Sequence, residues 1–124
     1  MTNSALTAGY TVHVIDDLSN NDVPLSLRCQ SKDNDLGVKT LKVGDDFHFS
    51  FHWSIVGETR FYCHYYWGSK QQFFDVINRG ISNDCKRTDI VTNHYDCFWK
   101  VHDDGFYFSS DNSIGSYSKK YDWN

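Results

Sequence analysis

The run Cys97-Phe98-Trp99-Lys100-Val101-His102-Asp103-Asp104-Gly105-Phe106-Tyr107 decides the fold class. Apolar and polar residues alternate on both sides of an aspartate–glycine turn, the period-2 signature of a half-buried hairpin. Asp104-Gly105 suits a two-residue type I′ turn, because glycine accepts positive φ at no steric cost and aspartate tolerates it. That turn sets Val101 opposite Phe108 and His102 opposite Tyr107, with Cys97 anchoring one arm.

The same grammar runs outward through the chain. Phe47, Phe49, Phe51 and Trp53 share one face of a strand, with His48, Ser50 and His52 on the other. Phe61, Cys63, Tyr65 and Trp67 repeat the pattern against Tyr62, His64 and Tyr66. Joined through Ile55-Val56-Gly57, the two runs read as a hairpin with Ser54 paired to Glu58. Phe51 then faces Phe61, Phe49 faces Cys63, and His48 lies opposite His64; a one-residue slip would turn both apolar faces outward.

Residues 10–17, 23–30, 36–43 and 71–78 supply further strands. Residues 1–8 read as a disordered leader and 80–95 as a long polar loop carrying Cys85. The tail after Ser109 looks loose, yet Tyr117, Lys119, Tyr121 and Trp123 alternate as a last edge strand would. The expectation is an all-β, antiparallel β-sandwich of about eight strands, forming a single domain over residues 9–124.

Composition agrees. A chain of 124 residues makes one domain, and 17% aromatics with a single proline and a single methionine favour strands over helices. The net charge of −4 offers no basic field for nucleic acid. No apolar run is long enough for membrane insertion. Met1-Thr2-Asn3-Ser4-Ala5 lacks a basic region followed by an apolar one, so the chain reads as a mature fragment with an added start methionine.

Cys29, Cys63, Cys85 and Cys97 form an even set without a CxxC pair or zinc-like spacing. In a small aromatic β protein that implies two disulfides and an oxidising compartment. Three of the cysteines share the apolar parity of their strands, which favours Cys29–Cys97 across the core and Cys63–Cys85 tying down the long loop. The other two pairings stay open.

Five blocks carry a resemblance. They are Cys29-Gln30-Ser31-Lys32-Asp33-Asn34-Asp35-Leu36-Gly37, the Phe-x-Phe-x-Phe run from Phe47 to Phe51, Phe61-Tyr62-Cys63 with Trp67, Phe73-Phe74-Asp75-Val76, and the opening cysteine block through Tyr107. In these the chain resembles the plant self-incompatibility S1 family, the S-protein homologues. The resemblance implies a small secreted β-sandwich with two disulfides. It further implies an extracellular, non-catalytic signalling ligand for a cell-surface protein receptor, since some members are stigma ligands recognised by a pollen membrane protein.

Recognition by such a protein is expected in loops on a rigid scaffold. The candidate partner-binding residues are Lys32 and Asp33 in one loop, and Asp84, Lys86, Arg87, Asp89 and His94 in the other. Exchanging residues 86–94 is expected to abolish binding and leave thermal stability nearly unchanged. The protein is expected to act as a monomer, without cofactor or metal. His48 and His52 have the i, i+4 spacing of a helical metal pair, but on a strand that spacing spans roughly 13 Å.

Two other classes compete. A lectin-like module would stack sugar rings on exposed aromatics, with Tyr62, Tyr66, Tyr107 and Trp123 at the required parity. A ribonuclease needs two histidines as general acid and base beside a cation. The six histidines here fall in no recognisable catalytic block, and the chain is acidic.

Overall fold

Alternation of more and less buried side chains, clearest in residues 25–30, 46–52 and 61–67, goes with two sheets that face each other across one core. The computed structural model describes residues 7–53 and 59–124. Its strands are β1 (Gly9–Asp16), β2 (Leu25–Gln30), β3 (Asp35–Leu41), β4 (Asp46–His52), β5 (Phe61–Trp67), β6 (Lys70–Ile77), β7 (Lys86–Asp89), β8 (His94–His102), β9 (Gly105–Ser109) and β10 (Ser118–Tyr121). One helical turn, α1 (Arg79–Ser82), follows β6. Sheet A runs β10-β9-β8-β1-β4, with β7 also paired to β8; sheet B runs β3-β2-β5-β6.

The all-β sandwich of the sequence reading is present, with ten strands rather than eight. β10 is the last edge strand that the alternation of the tail suggested, and β7 forms inside the segment expected to be irregular. The arrangement is not purely antiparallel either: β1, at the centre of sheet A, pairs antiparallel with β4 and parallel with β8.

The expected hairpin between the two aromatic strands is absent. β4 pairs with β1 in sheet A, whereas β5 pairs with β2 and β6 in sheet B. The proposed link through Ile55-Val56-Gly57, with Ser54 and Glu58, lies outside the described residues. Phe49 and Phe51 do meet Phe61, at ring-centroid distances of 4.8 and 5.0 Å, but as a contact between sheets. Alternation gave β4 and β5 their buried faces correctly, but not β6, where Phe74 and Val76 are buried and Phe73 is exposed. It could not tell a neighbour in the same sheet from one across the core, because both satisfy the same apolar parity. His48 accordingly lies opposite His13, and His64 opposite Arg28 and Phe73.

The opening hairpin exists with its register moved by two residues. Val101 pairs with Phe106 and His102 with Gly105, so Asp103 and Asp104 form the turn. An even shift keeps every face, so Trp99, Val101, Phe106 and Phe108 remain buried. The glycine is required for a different reason than the turn: Gly105 has φ +147°, and a Cβ there would sit 2.2 Å from the carbonyl oxygen of Tyr121 on β10. Close approach of the last strand fixes this residue.

Inside, Val12, Val14, Leu25, Leu27, Val76 and Val101 are fully buried, with Tyr65 and Phe106 as the largest enclosed rings. The indole of Trp99 donates to the carbonyl of Val76 across the core at 3.0 Å. At the start of the chain, Ala8 accepts from the amide of Trp53 at 2.8 Å before β1 begins.

Candidate recognition site

The disulfides differ from the favoured pairing. Cys29 is bonded to Cys63 and Cys85 to Cys97. Cys29 and Cys63 are directly opposed on neighbouring strands β2 and β5, with Cα atoms 4.0 Å apart. They therefore meet within one sheet, as a directly opposed cross-strand pair. Cys85 follows α1 and reaches Cys97 on β8, Cα to Cα 4.8 Å. Inward parity was read as a bridge across the core, whereas a side-by-side pair has the same parity.

Both bridges lie towards one end of the sandwich. At that end β2, β4 and β6 finish while β1, β5 and β8 begin, as the pairing of Gln30 with Tyr62, Phe61 with Ile77, and Gly9 with both His52 and His94 requires. All seven candidate partner residues fall on connections or strand ends on this side.

Lys32 and Asp33 are exposed in the β2–β3 connection. That turn is closed by Ser31, whose amide donates to the carbonyl of Asn34 at 2.8 Å and whose hydroxyl accepts from the amide of Asn34 at 3.2 Å. Asp35 next to it forms an ion pair with Arg28. The Arg28 hydrogen bond, with help from the Gly37 amide, holds the Asp35 carboxyl down at about 2.

The second group surrounds α1 and the β7–β8 hairpin. Asn78 caps α1 by accepting from the amide of Ile81 at 2.9 Å, which turns the chain after β6. Asp84 is exposed just beyond, its amide donating to the carbonyl of Ile81. Lys86 and Arg87 stand exposed on β7, and neither forms an ion pair among the described residues.

Asp89 and His94 serve the hairpin itself. The Asp89 carboxylate accepts from the amides of Val91 at 2.9 Å and Thr92 at 3.3 Å, an Asx-type turn that lowers its pKa through the Thr92 and Val91 amides. Nε2 of His94 lies 2.7 Å from the hydroxyl of Thr11 on β1. Exchanging all of 86–94 therefore removes structural bonds, and the thermal neutrality expected from sequence does not follow.

The tip of this hairpin carries two residues that the sequence reading passed over. Ile90 is 74% exposed and Val91 79% exposed. Two adjacent β-branched residues inside an otherwise polar stretch were the available signal. Together with Lys86 and Arg87 they give the hairpin one cationic and one apolar portion.

The aromatics considered for sugar stacking divide. Trp123 tucks against Phe106 and Trp67 and donates to the carbonyl of His102 at 2.9 Å. Tyr107 packs on His102 and donates to Asp104 at 2.8 Å. Tyr62 and Tyr66 lie on the outer face of sheet B, where Tyr62 meets Phe73 at 5.3 Å and Tyr66 stacks on His64 at 4.4 Å.

These features define a twice-stapled β-sandwich that mounts exposed charge and apolar surface on loops at one end. Residues 11–123 match the family of the plant self-incompatibility protein S1, and the chain belongs to it. S-protein homolog 3 of Arabidopsis thaliana is 36% identical over 100 residues, covering 81% of this chain and 63% of the relative. S-protein homolog 21 of the same plant is 37% identical over 97 residues, covering 78% and 69%. Self-incompatibility protein S1 of Papaver rhoeas is 36% identical over 87 residues, covering 70% and 59%. The chain thus spans 63% of the length of both S-protein homolog 3 and S-protein homolog 2.

Proposed function

We propose that this protein is a secreted, non-catalytic plant ligand whose stapled end binds a protein on a cell surface. The observation that carries the reading is the β7–β8 hairpin. Its backbone is held by a disulfide and by Asp89 and His94, while Lys86, Arg87, Ile90 and Val91 are left exposed. A preorganised loop loses little conformational freedom on binding, which favours affinity for a small contact area. An apolar tip beside a cationic strand also suits a protein surface with an apolar centre and an acidic rim.

Secretion is supported by the two disulfides, which persist in oxidising compartments. No helix among the described residues is long and apolar enough to cross a membrane. The Papaver rhoeas relative bears the name of a self-incompatibility protein, and recognition between cells is the reading that name lends to this chain.

The test is binding of the labelled, oxidised protein to plant-cell surfaces. Saturable binding that unlabelled protein competes away, and that protease treatment of the cells removes, is expected. Binding that survives protease but disappears after glycosidase treatment would favour the carbohydrate reading, which draws on the Tyr62, His64, Tyr66 and Phe73 cluster. In that case Tyr66→Ala should abolish it.

A further inference from the structure

The outer face of sheet A carries a second cluster, on strands that no spacing within one segment would associate. The β1–β4 register sets His13 opposite His48 and Ile15 opposite Asp46. Asp46 and His48, two residues apart on β4, therefore share a face with His13. Nδ1 of His13 lies 2.8 Å from Oδ2 of Asp46, and Nδ1 of His48 lies 3.8 Å from Oδ1 of the same carboxylate. One ligand atom from each of His13, Asp46 and His48 falls within 4.8 Å of the other two.

His13 is held on its other sides as well. Its Nε2 lies 2.8 Å from Oδ1 of Asp96 on β8, and the second oxygen of Asp96 accepts from the hydroxyl of Thr88 at 2.6 Å. The imidazole lies nearly flat on Phe98, with centroids 4.5 Å apart and planes 14° apart. Nδ1 is thus directed at Asp46 and His48, whereas Nε2 is committed to a carboxylate.

We propose that His13 Nδ1, His48 Nδ1 and the Asp46 carboxylate form a binding site for a borderline divalent cation of the zinc class. Two imidazoles and one carboxylate are a donor set suited to Zn²⁺, with a fourth, solvent-facing position for water or an incoming donor. A ligating histidine characteristically donates its remaining N–H to a carboxylate, which fixes its tautomer and aim. Asp96, itself anchored by Thr88, has that place beside His13. Without metal, the His13–Asp46 bond uses a proton on Nδ1; the cation takes the lone pair and that proton leaves to solvent. His48 is the adjustable member: its side chain is 59% exposed, and its Nδ1 donates to the carbonyl oxygen of Asp46 at 3.2 Å, a bond that ligation gives up as the ring moves its proton to Nε2 by exchange with solvent. A bound ion would pin β4, the edge strand of sheet A, to β1.

The full oxidised chain should be titrated with ZnCl₂ by calorimetry, and with Co²⁺ to follow the visible bands of a low-symmetry site. One equivalent is expected to bind and to raise the thermal midpoint. His48→Ala and Asp46→Asn should each weaken uptake by more than about tenfold, and Asp96→Asn by about tenfold. His64→Ala, on the other sheet, should leave uptake unchanged. Because His48 is exposed, its variant should fold, and the test does not depend on replacing His13. Absence of saturable one-to-one uptake, or uptake unaltered in His48→Ala, would overturn the proposal.

Discussion

The two ends of the sandwich are closed by different means. At the end carrying the β7–β8 hairpin, covalent bonds hold the strands: Cys29–Cys63 joins β2 to β5, and Cys85–Cys97 ties the chain after α1 to β8. At the opposite end there is no cysteine, and rings and backbone do the work. Trp123 packs between Trp67 and Phe106, and Asn124 exchanges two backbone hydrogen bonds with Gln71 at 2.9 and 3.1 Å, so the tail of sheet A's last strand crosses to sheet B. Asp103 in the β8–β9 turn accepts both the amide and the hydroxyl of Ser19. A disulfide restrains a strand end without enlisting loop side chains. Aromatic sealing consumes the side chains it uses. The stapled end gathers exposed Lys86, Arg87, Ile90 and Val91 on one hairpin, whereas the exposed residues of the sealed end, among them Asp22, Val23, Lys42 and Val43, are spread over separate connections.

The staples should dominate stability. Loop-closure entropy assigns about 4 kcal/mol to Cys29–Cys63, which spans 34 residues, and about 3 kcal/mol to Cys85–Cys97, which spans 12. Urea unfolding of the paired alanine variants should rank them in that order. An equal or inverted ranking would mean that local packing at Cys85, not chain entropy, sets the balance.

At the sealed end, Trp123→Ala should cost about 2 kcal/mol through lost ring burial and the lost bond to the carbonyl of His102. A negligible loss would reduce the tail to an ornament and break the contrast between the ends. A smaller change of opposite sign is expected between them. Tyr65 is fully buried and its hydroxyl has no hydrogen-bond partner among the described residues. Tyr65→Phe removes that unsatisfied group and should raise stability by about 1 kcal/mol, seen as a higher urea midpoint at unchanged slope.

The smallest effect concerns the β9–β10 connection. The Ser113 amide and hydroxyl, followed by the Ser116 hydroxyl, hold the Asp111 carboxyl down at about 2 from an ordinary value of 3.8. A folded value below the unfolded one contributes stability above the unfolded value, which is lost as pH falls through the folded value. The gap in thermal midpoint between the wild-type protein and Asp111→Asn should accordingly narrow from pH 5 to pH 2. A gap that is flat with pH would show that the loop does not depend on the charge.

Faces were legible in the sequence, and partners of those faces were not. The inward set from Phe47 to Trp67 follows from alternation, because a buried face demands period 2. The assignment of β4 to sheet A, the Cys29–Cys63 pair and the parallel β1–β8 contact depend on long-range topology, which alternation leaves degenerate. Within the hairpin, turn chemistry pointed to Asp104-Gly105, but the need to admit Tyr121 beside Gly105 overrode it. The candidate site shows the same division. Polar loop residues were visible as such, yet only the fold separates Lys86 and Arg87, which project, from Asp89 and His94, which brace. The His13–Asp46–His48 cluster was invisible because it spans two strands whose register no local signal sets.

The contrast between the two ends is tested most directly by changing the exposed charge and apolar surface of each in turn and measuring plant-cell-surface binding. One variant combines Lys86→Glu, Arg87→Glu, Ile90→Ser and Val91→Ser; the other combines Asp22→Arg and Ser69→Arg at the sealed end. The account predicts that the first loses binding by more than about tenfold at an unchanged denaturation midpoint, while the second binds as the wild type does. Equal binding by both variants, or loss confined to the second, would contradict it.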